Sequence, residues 1–261
     1  MKKLLVLTVL FCFLSLPVYA GITTDAALRQ PDFWQSNFPD CENIVLDEEQ
    51  AKTVNKAIIK TSATVYDLRN YPETISGANV KKWIEEADWL FKESIYIKGR
   101  AASPNYMQII ANERNIANIP ASVKPEYAVT ICRVNMRALP TNEGGFYSSS
   151  DTHFDQLQET ALDPAEPVII LHKSSSRNFA YVQMRNYRGW LPIWTLGLTD
   201  KKTWLEYADP SVFLMVVADK VTIKADGREN LYQMGAKIPV EDLDDKSYTV
   251  LIPSRSKEDG K

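Results

Sequence analysis

The apolar residues change their period between Pro120 and Pro125, and this change limits the fold more than any other feature of the chain. Upstream, Val80, Trp83, Ile84, Ala87, Leu90 and Phe91 recur at the i, i+3, i+4, i+7 spacing of an amphipathic helix. Downstream, "YAVTICRVNMRALP" reads as strand, "PVIILHK" is an unbroken apolar run, and "FAYVQMR" alternates before "YRGWLP". Short strands between turn signals are the pattern of a small barrel. The expected fold class is therefore α+β and multidomain: a mostly helical N-terminal region, then small β-barrels.

Local signals place the elements within each half. Asp47 with Gln50 three residues on is a capping-box pattern, opening a helix with Ala51, Val54 and Ile58 on one face. The next helix starts near Ser76 or Asn79, and Ser103-Pro104 opens a third that runs to about Asn118. Residues 21–45, with Pro31, Trp34, Phe38 and Pro39, read as an ordered wrap and not as a helix. The stretch from Pro140 to Pro167 is a long polar loop, and loops of that length are usually functional or packed against something. A second β unit follows "LTDKKTW": two strands around a polar bend in "SVFLMVVADKVTIKADG", one in "NLYQMGAKIPV" and a last in "SYTVLIPSRS", with a tight turn at Asp226-Gly227.

The N-terminus sets the expected compartment. Lys2 and Lys3 precede an apolar run from Leu4 to Leu16, and Val18-Tyr19-Ala20 presents small residues where a signal peptidase reads. This predicts export to a periplasm or cell surface with cleavage near Ala20, and no stable membrane anchor. Removing residues 1–20 takes away two lysines and no acid, so the formal charge goes from -3 to -5. A mildly acidic chain without basic runs gives no electrostatic reason to bind nucleic acid or anionic lipid. After cleavage Cys41 and Cys132 remain, and so distant a pair makes no disulfide framework.

Catalytic chemistry finds little support in these residues. A cysteine nucleophile needs a nearby base and a group that orients it. Cys41 lies between Asp40 and Glu42, which raise a thiol pKa, and Cys132 sits in a strand pattern. His153 falls in the polar loop and His172 ends an apolar strand, so both have structural explanations. The spacing of two histidines and these cysteines suits no metal site, and no cofactor is expected. Candidate contacts to a ligand or neighbouring domain are Phe154, Asp155 and Gln158 in "FDQLQ" and Trp190 in "RGWLP", each with a packing role as the alternative. Trp34, Trp83 and Trp89 read most simply as core or interdomain packing.

The most recognisable stretch, "NMRALPT" (135–141), contains no nucleophile, metal ligand or phosphate cradle. Together with "FDQLQETALDPAEPVIILHKSSSRNFAYVQMRNYRGWLP" it resembles the first bacterial SH3-type domain of secreted NlpC/p60 family peptidoglycan endopeptidases. "VFLMVVADKVTI", "YQMGAKIPV" and "YTVLIPSR" resemble their second such domain, and "NIVLDEEQAKTVNKAIIKTSATVYDLRNYPETISGANV" their N-terminal helical segment. The resemblance implies a signal peptide at 1–20, a helical stabilising region at 21–122, a first SH3-like domain at 123–202 and a second at 203–261, whose completeness the sequence leaves open. It also implies a papain-like catalytic domain in cis in a full-length enzyme, which these residues do not include. The chain as given leans away from being an enzyme. The expected role is binding and positioning of peptidoglycan stem peptides, with the 140–167 loop reaching toward the catalytic cleft and tolerating substitution. The alternatives are a fragment of a γ-D-glutamyl-diamino acid cysteine endopeptidase and a stand-alone exported adaptor that binds another protein.

Overall fold

The computed structural model describes residues 26–38, 40, 42–62, 64–225, 227–244, 246–256 and 260. The leader, Cys41 and Asp226 lie outside them. The chain divides after Asn55 into two compact units. In the first, a 3-10 turn at Ala26–Arg29 precedes α1 (Pro31–Asn37), where an irregular wrap was expected. Pro31 occupies the first turn of α1, where its fixed φ favours the helix and its missing N–H costs nothing. The Trp34 indole donates to the Leu28 carbonyl at 2.8 Å. Helix α2 (Glu48–Thr61) opens on the expected capping box: the Gln50 N–H donates to Asp47 Oδ1 at 2.8 Å, and the Asp47 N–H to Gln50 Oε1 at 3.0 Å.

The second unit begins with short elements. Strand β1 (Ile75–Ser76) leads into α3 (Gly77–Glu85), which gives way to a 3-10 segment at Asp88–Lys92. The hairpin β2–β3 (Tyr96–Ile97, Arg100–Ala101) turns on Lys98 and Gly99, both at positive φ. Helix α4 (Pro104–Glu113) is capped by the Ser103 hydroxyl as expected, but it stops five residues before Asn118 because Asn115 adopts φ 54°. Strand β4 (Ser122–Val123) then pairs back onto β1.

Seven strands follow: β5 (Glu126–Thr130), β6 (Val134–Arg137), β7 (Gln158–Leu162), β8 (Pro167–Lys173), β9 (Phe179–Gln183), β10 (Arg188–Pro192) and β11 (Leu196–Thr199). They form one antiparallel sheet in the order β11-β5-β8-β9-β10-β6-β7. Its two faces explain the unbroken apolar run in β8. Val168 and Ile170 join Ala180, Val182, Met136 and Leu191 on one side. Ile169 and Leu171 join Tyr181, Trp190, Val80 and Ile84 on the other. A strand buried on both faces needs apolar residues at every position, not at alternate ones. The helical residues therefore share their core with the sheet. Where β10 crosses β6, a Cβ at Gly189 would meet Met136 Cγ at 2.6 Å and the Arg137 carbonyl at 2.8 Å, so only glycine fits.

Helix α5 (Lys201–Ala208), capped by Asp200, leads out of the sheet with Trp204 buried in its core. Beyond it, β12 (Phe213–Met215), β15 (Lys237–Leu243) and β16 (Tyr248–Val250) form a three-stranded sheet. β13 (Lys220–Ala225) and β14 (Arg228–Gln233) form a hairpin beside it. "NLYQMGAKIPV" is thus two strands and not one, because Gly235 turns the chain at φ 89°. Tyr232, Val216, Ala236 and Ile238 make a small core. The chain then returns to the first sheet: the Arg255 guanidinium donates to the carbonyls of Ile193 and, at 3.0 Å, Leu196, and the Leu198 N–H to Gly260 O at 2.9 Å. Between these contacts the Gln233 N–H reaches Asp163 Oδ2 at 3.3 Å. None of the helices among the described residues is long and apolar enough to cross a membrane.

Candidate functional site

The long loop is built around an ion pair. Arg137, at the end of β6, has a side chain only 4% exposed. Its guanidinium donates to Asp155 Oδ2 at 2.6 Å, to the Thr141 carbonyl at 3.2 Å and to the Glu143 carbonyl at 2.5 Å. Asp155 Oδ1 accepts the N–H groups of Gly145 and Leu157, each at 2.9 Å. The loop folds down onto the β2–β3 hairpin through Tyr96 and Phe146, and covers a core of Leu90, Ile110, Leu139 and Leu157. "NMRALPT" thus supplies the arginine that pins the loop.

The four candidate contact residues do not converge. Asp155 is held by Arg137, and Trp190 lies fully inside the core, 5.3 Å from Tyr181 between ring centroids. Gln158 sits on edge strand β7 opposite Arg137, and Phe154 projects from the loop with 77% of its surface exposed. Cys132 is a half-buried free thiol whose pKa is pushed up by desolvation, the opposite of nucleophile activation. Among the described residues no cluster of His, Cys, Asp or Glu could hold a metal ion.

A cleft of about 520 Å³ lies elsewhere, between α3 and the β9–β10 hairpin. Tyr66, Trp83, Trp89 and Tyr187 line it, with Arg188 and the acids Glu86 and Glu159. Arg188 organises one wall: its guanidinium lies 4.1 Å from the Trp83 ring centroid and 5.0 Å from that of Tyr66. It also donates to the Tyr66 hydroxyl and, at 2.5 Å, to Gln183 Oε1, and stands 4.0 Å from Glu86. Trp83 packs against the core, as expected, while Trp89 is 47% exposed, and both line the cleft. Six residues apart, they would point in different directions from a continuous helix. The switch to a 3-10 segment after Glu85 brings both to the same opening. Glu159 makes no ion pair among the described residues, and partial desolvation pushes its carboxyl above the ordinary range although the side chain reaches solvent.

His172 is structural and carries a pH signature. Its Nε2 lies 3.2 Å from the carbonyls of Arg114 and Asn115, so that nitrogen carries the proton. Burial depresses its pKa, partly offset by those two carbonyls. The unfolded ring titrates at about 6.5 and the folded ring below it, so the stabilisation is complete above that pH and is lost as pH falls toward the folded value. Glu159 and Glu166, raised by desolvation, act in the opposite sense, losing stability as pH rises above about 4.3. Replacing His172 with Gln should therefore flatten the decline in melting temperature below about pH 6.5. An unchanged slope would assign that decline to other groups.

Residues 145–192, from the pinned loop through β10, match the SH3 domain (SH3b1 type) family. No curated protein matches the chain significantly. Among solved structures it is similar to an NlpC/P60 endopeptidase from Photobacterium damselae subsp. piscicida, with a TM-score of 0.61 and 16% identity, over 82% of this chain and 53% of that one. The chain spans about half the length of that structure, and at this identity the likeness is one of fold. Residues 145–192 are thus similar to SH3 domains of the SH3b1 type, within a mixed helix-and-sheet fold similar to that of an NlpC/P60 endopeptidase.

Proposed function

We propose that the chain is exported, is freed of its leader near Ala20, and binds peptidoglycan stem peptides, positioning them for an NlpC/P60-type peptidase. The observation that carries this reading is the aromatic cleft beside the SH3b1-type strands. Its aromatic rings, among them Tyr66, Trp83, Trp89 and Tyr187, offer amphipathic contact surface at low entropic cost. One cation, Arg188, against two acids, Glu86 and Glu159, leaves it a net charge of -1, and Arg188 is already engaged within the wall. The cleft thus suits a peptide that carries a free ammonium group. Residues 203–261, with their own small core, fill the role of a second SH3-like domain in this reading.

The test is co-sedimentation with purified sacculi, before and after amidase removal of the stem peptides. The chain should sediment with intact sacculi and stay in solution with stripped ones. Trp89→Ala should weaken retention about tenfold, as loss of one aromatic anchor does, while the exposed site keeps the change in stability within about 0.5 kcal/mol. Equal retention on stripped sacculi, or of the Trp89→Ala chain, overturns the reading. Failure to sediment even with intact sacculi would favour an adaptor that binds another exported protein. Coverage of only half the endopeptidase supports a second reading, in which the chain works in cis with a papain-like domain. Readthrough of the genomic DNA beyond codon 261 tests that directly.

A further inference from the structure

A cavity of about 680 Å³, sharing no lining residue with the aromatic cleft, lies where β8 meets the end of α4 and the β4–β5 link. Three cations from separate segments border it: Lys124 after β4, Lys173 at the end of β8, and Arg177 in the β8–β9 turn. The one acid on its lining is Glu126, whose Oε2 pairs with Lys173 Nζ at 2.8 Å. Lys124 and Arg177 have no carboxylate within salt-bridge distance among the described residues. His172, beneath them, adds no charge, because its Nε2–H is directed to two backbone carbonyls and its pKa is depressed. The local balance is three cations against one acid, +2, on a chain whose formal charge is -3.

We infer that this cavity is a binding site for a small organic or inorganic anion presenting carboxylate or phosphoryl oxygens. A merely solvated basic face would spread its charges over convex surface, where water screens them. Here they surround a concavity within the size range of small-ligand sites. Hydrogen bonds tie down the segments that carry Lys173 and Arg177. Arg177 sits at φ 58° in a turn closed by its own N–H on the Ser174 carbonyl at 2.9 Å. The Asn115 amide donates to the Lys173 carbonyl at 3.3 Å, and the Asn118 amide to Asn115 Oδ1 at 2.6 Å. Val123, Ile170 and Leu171 supply an apolar wall, which suits an anion with a short hydrocarbon body. This site does not depend on the aromatic cleft, so either reading can fail alone.

The test is a 15N-resolved NMR titration of the whole chain with inorganic phosphate, with glutarate, and with neutral glutaramide. At least one anion should give saturable shifts at the amides of Asn115, Asn118 and Ser174 to Arg177, and glutaramide none. The tighter anion identifies phosphoryl or carboxylate as the preferred group. Lys124→Gln and Arg177→Asn should each weaken binding about tenfold, the loss expected for one charge-assisted contact. Asparagine is chosen at 177 because it tolerates positive φ. Added salt should weaken binding further. The proposal is overturned if neither anion saturates these amides, if glutaramide shifts them equally, or if both variants keep the affinity of the unaltered chain.

Discussion

Asp155→Ala should destabilise the fold by about 3–5 kcal/mol, because it leaves the buried Arg137 guanidinium without its counter-charge. The N–H groups of Gly145 and Leu157 lose their acceptor as well. In a chain of this size the melting temperature should fall by roughly ten degrees. Asp155→Asn keeps an oxygen for both amides and should cost less. Urea denaturation of the three chains decides the matter, and a change for Asp155→Ala within about 0.5 kcal/mol, as at ordinary surface sites, would contradict the arrangement. The sequence pointed the other way: a polar loop facing a cleft should tolerate this substitution. Nothing local marks Asp155 as the partner of an arginine eighteen residues earlier.

Trp190→Ala should cost about 3–5 kcal/mol, the usual range for emptying a fully buried large aromatic position. Trp190→Phe should cost less than about 1.5 kcal/mol. The ring is largely kept, and an indole N–H that has no hydrogen-bond partner among the described residues is removed. Denaturant midpoints at constant m-value would show this contrast. If Trp190→Phe left stability intact but abolished sacculus binding, Trp190 would be a contact residue and not a core one.

What could be seen in the sequence was what local rules encode. The capping box at Asp47 and Gln50, the Ser103 cap and the strands containing "PVIILHK" and "FAYVQMR" all lie where short-range patterns place them. Termini that depend on backbone handedness were misplaced: α4 stops early because Asn115 turns left-handed, and Gly235 splits a segment that reads as one strand. The "LTDKKTW" stretch hides a helix whose only local marker is the Asp200 cap. The aromatic cleft was illegible for a different reason. Its walls come from Tyr66, Trp83, Glu159 and Tyr187, far apart in the chain, and a break in helical geometry is needed to align Trp83 with Trp89.

The second β unit leaves the seven-stranded sheet through α5 and returns to it at Arg255 and Gly260. A body attached at two points can still turn about the line that joins them. The bond from the Gln233 N–H to the Asp163 carboxylate, at 3.3 Å, opposes that rotation. Asp163 is itself steadied by Arg133, so the third point is not free to follow. These polar contacts help to hold the second unit against the sheet. Asp163 then acts as a latch, and loosening it should ease movement of the second unit about its other attachments.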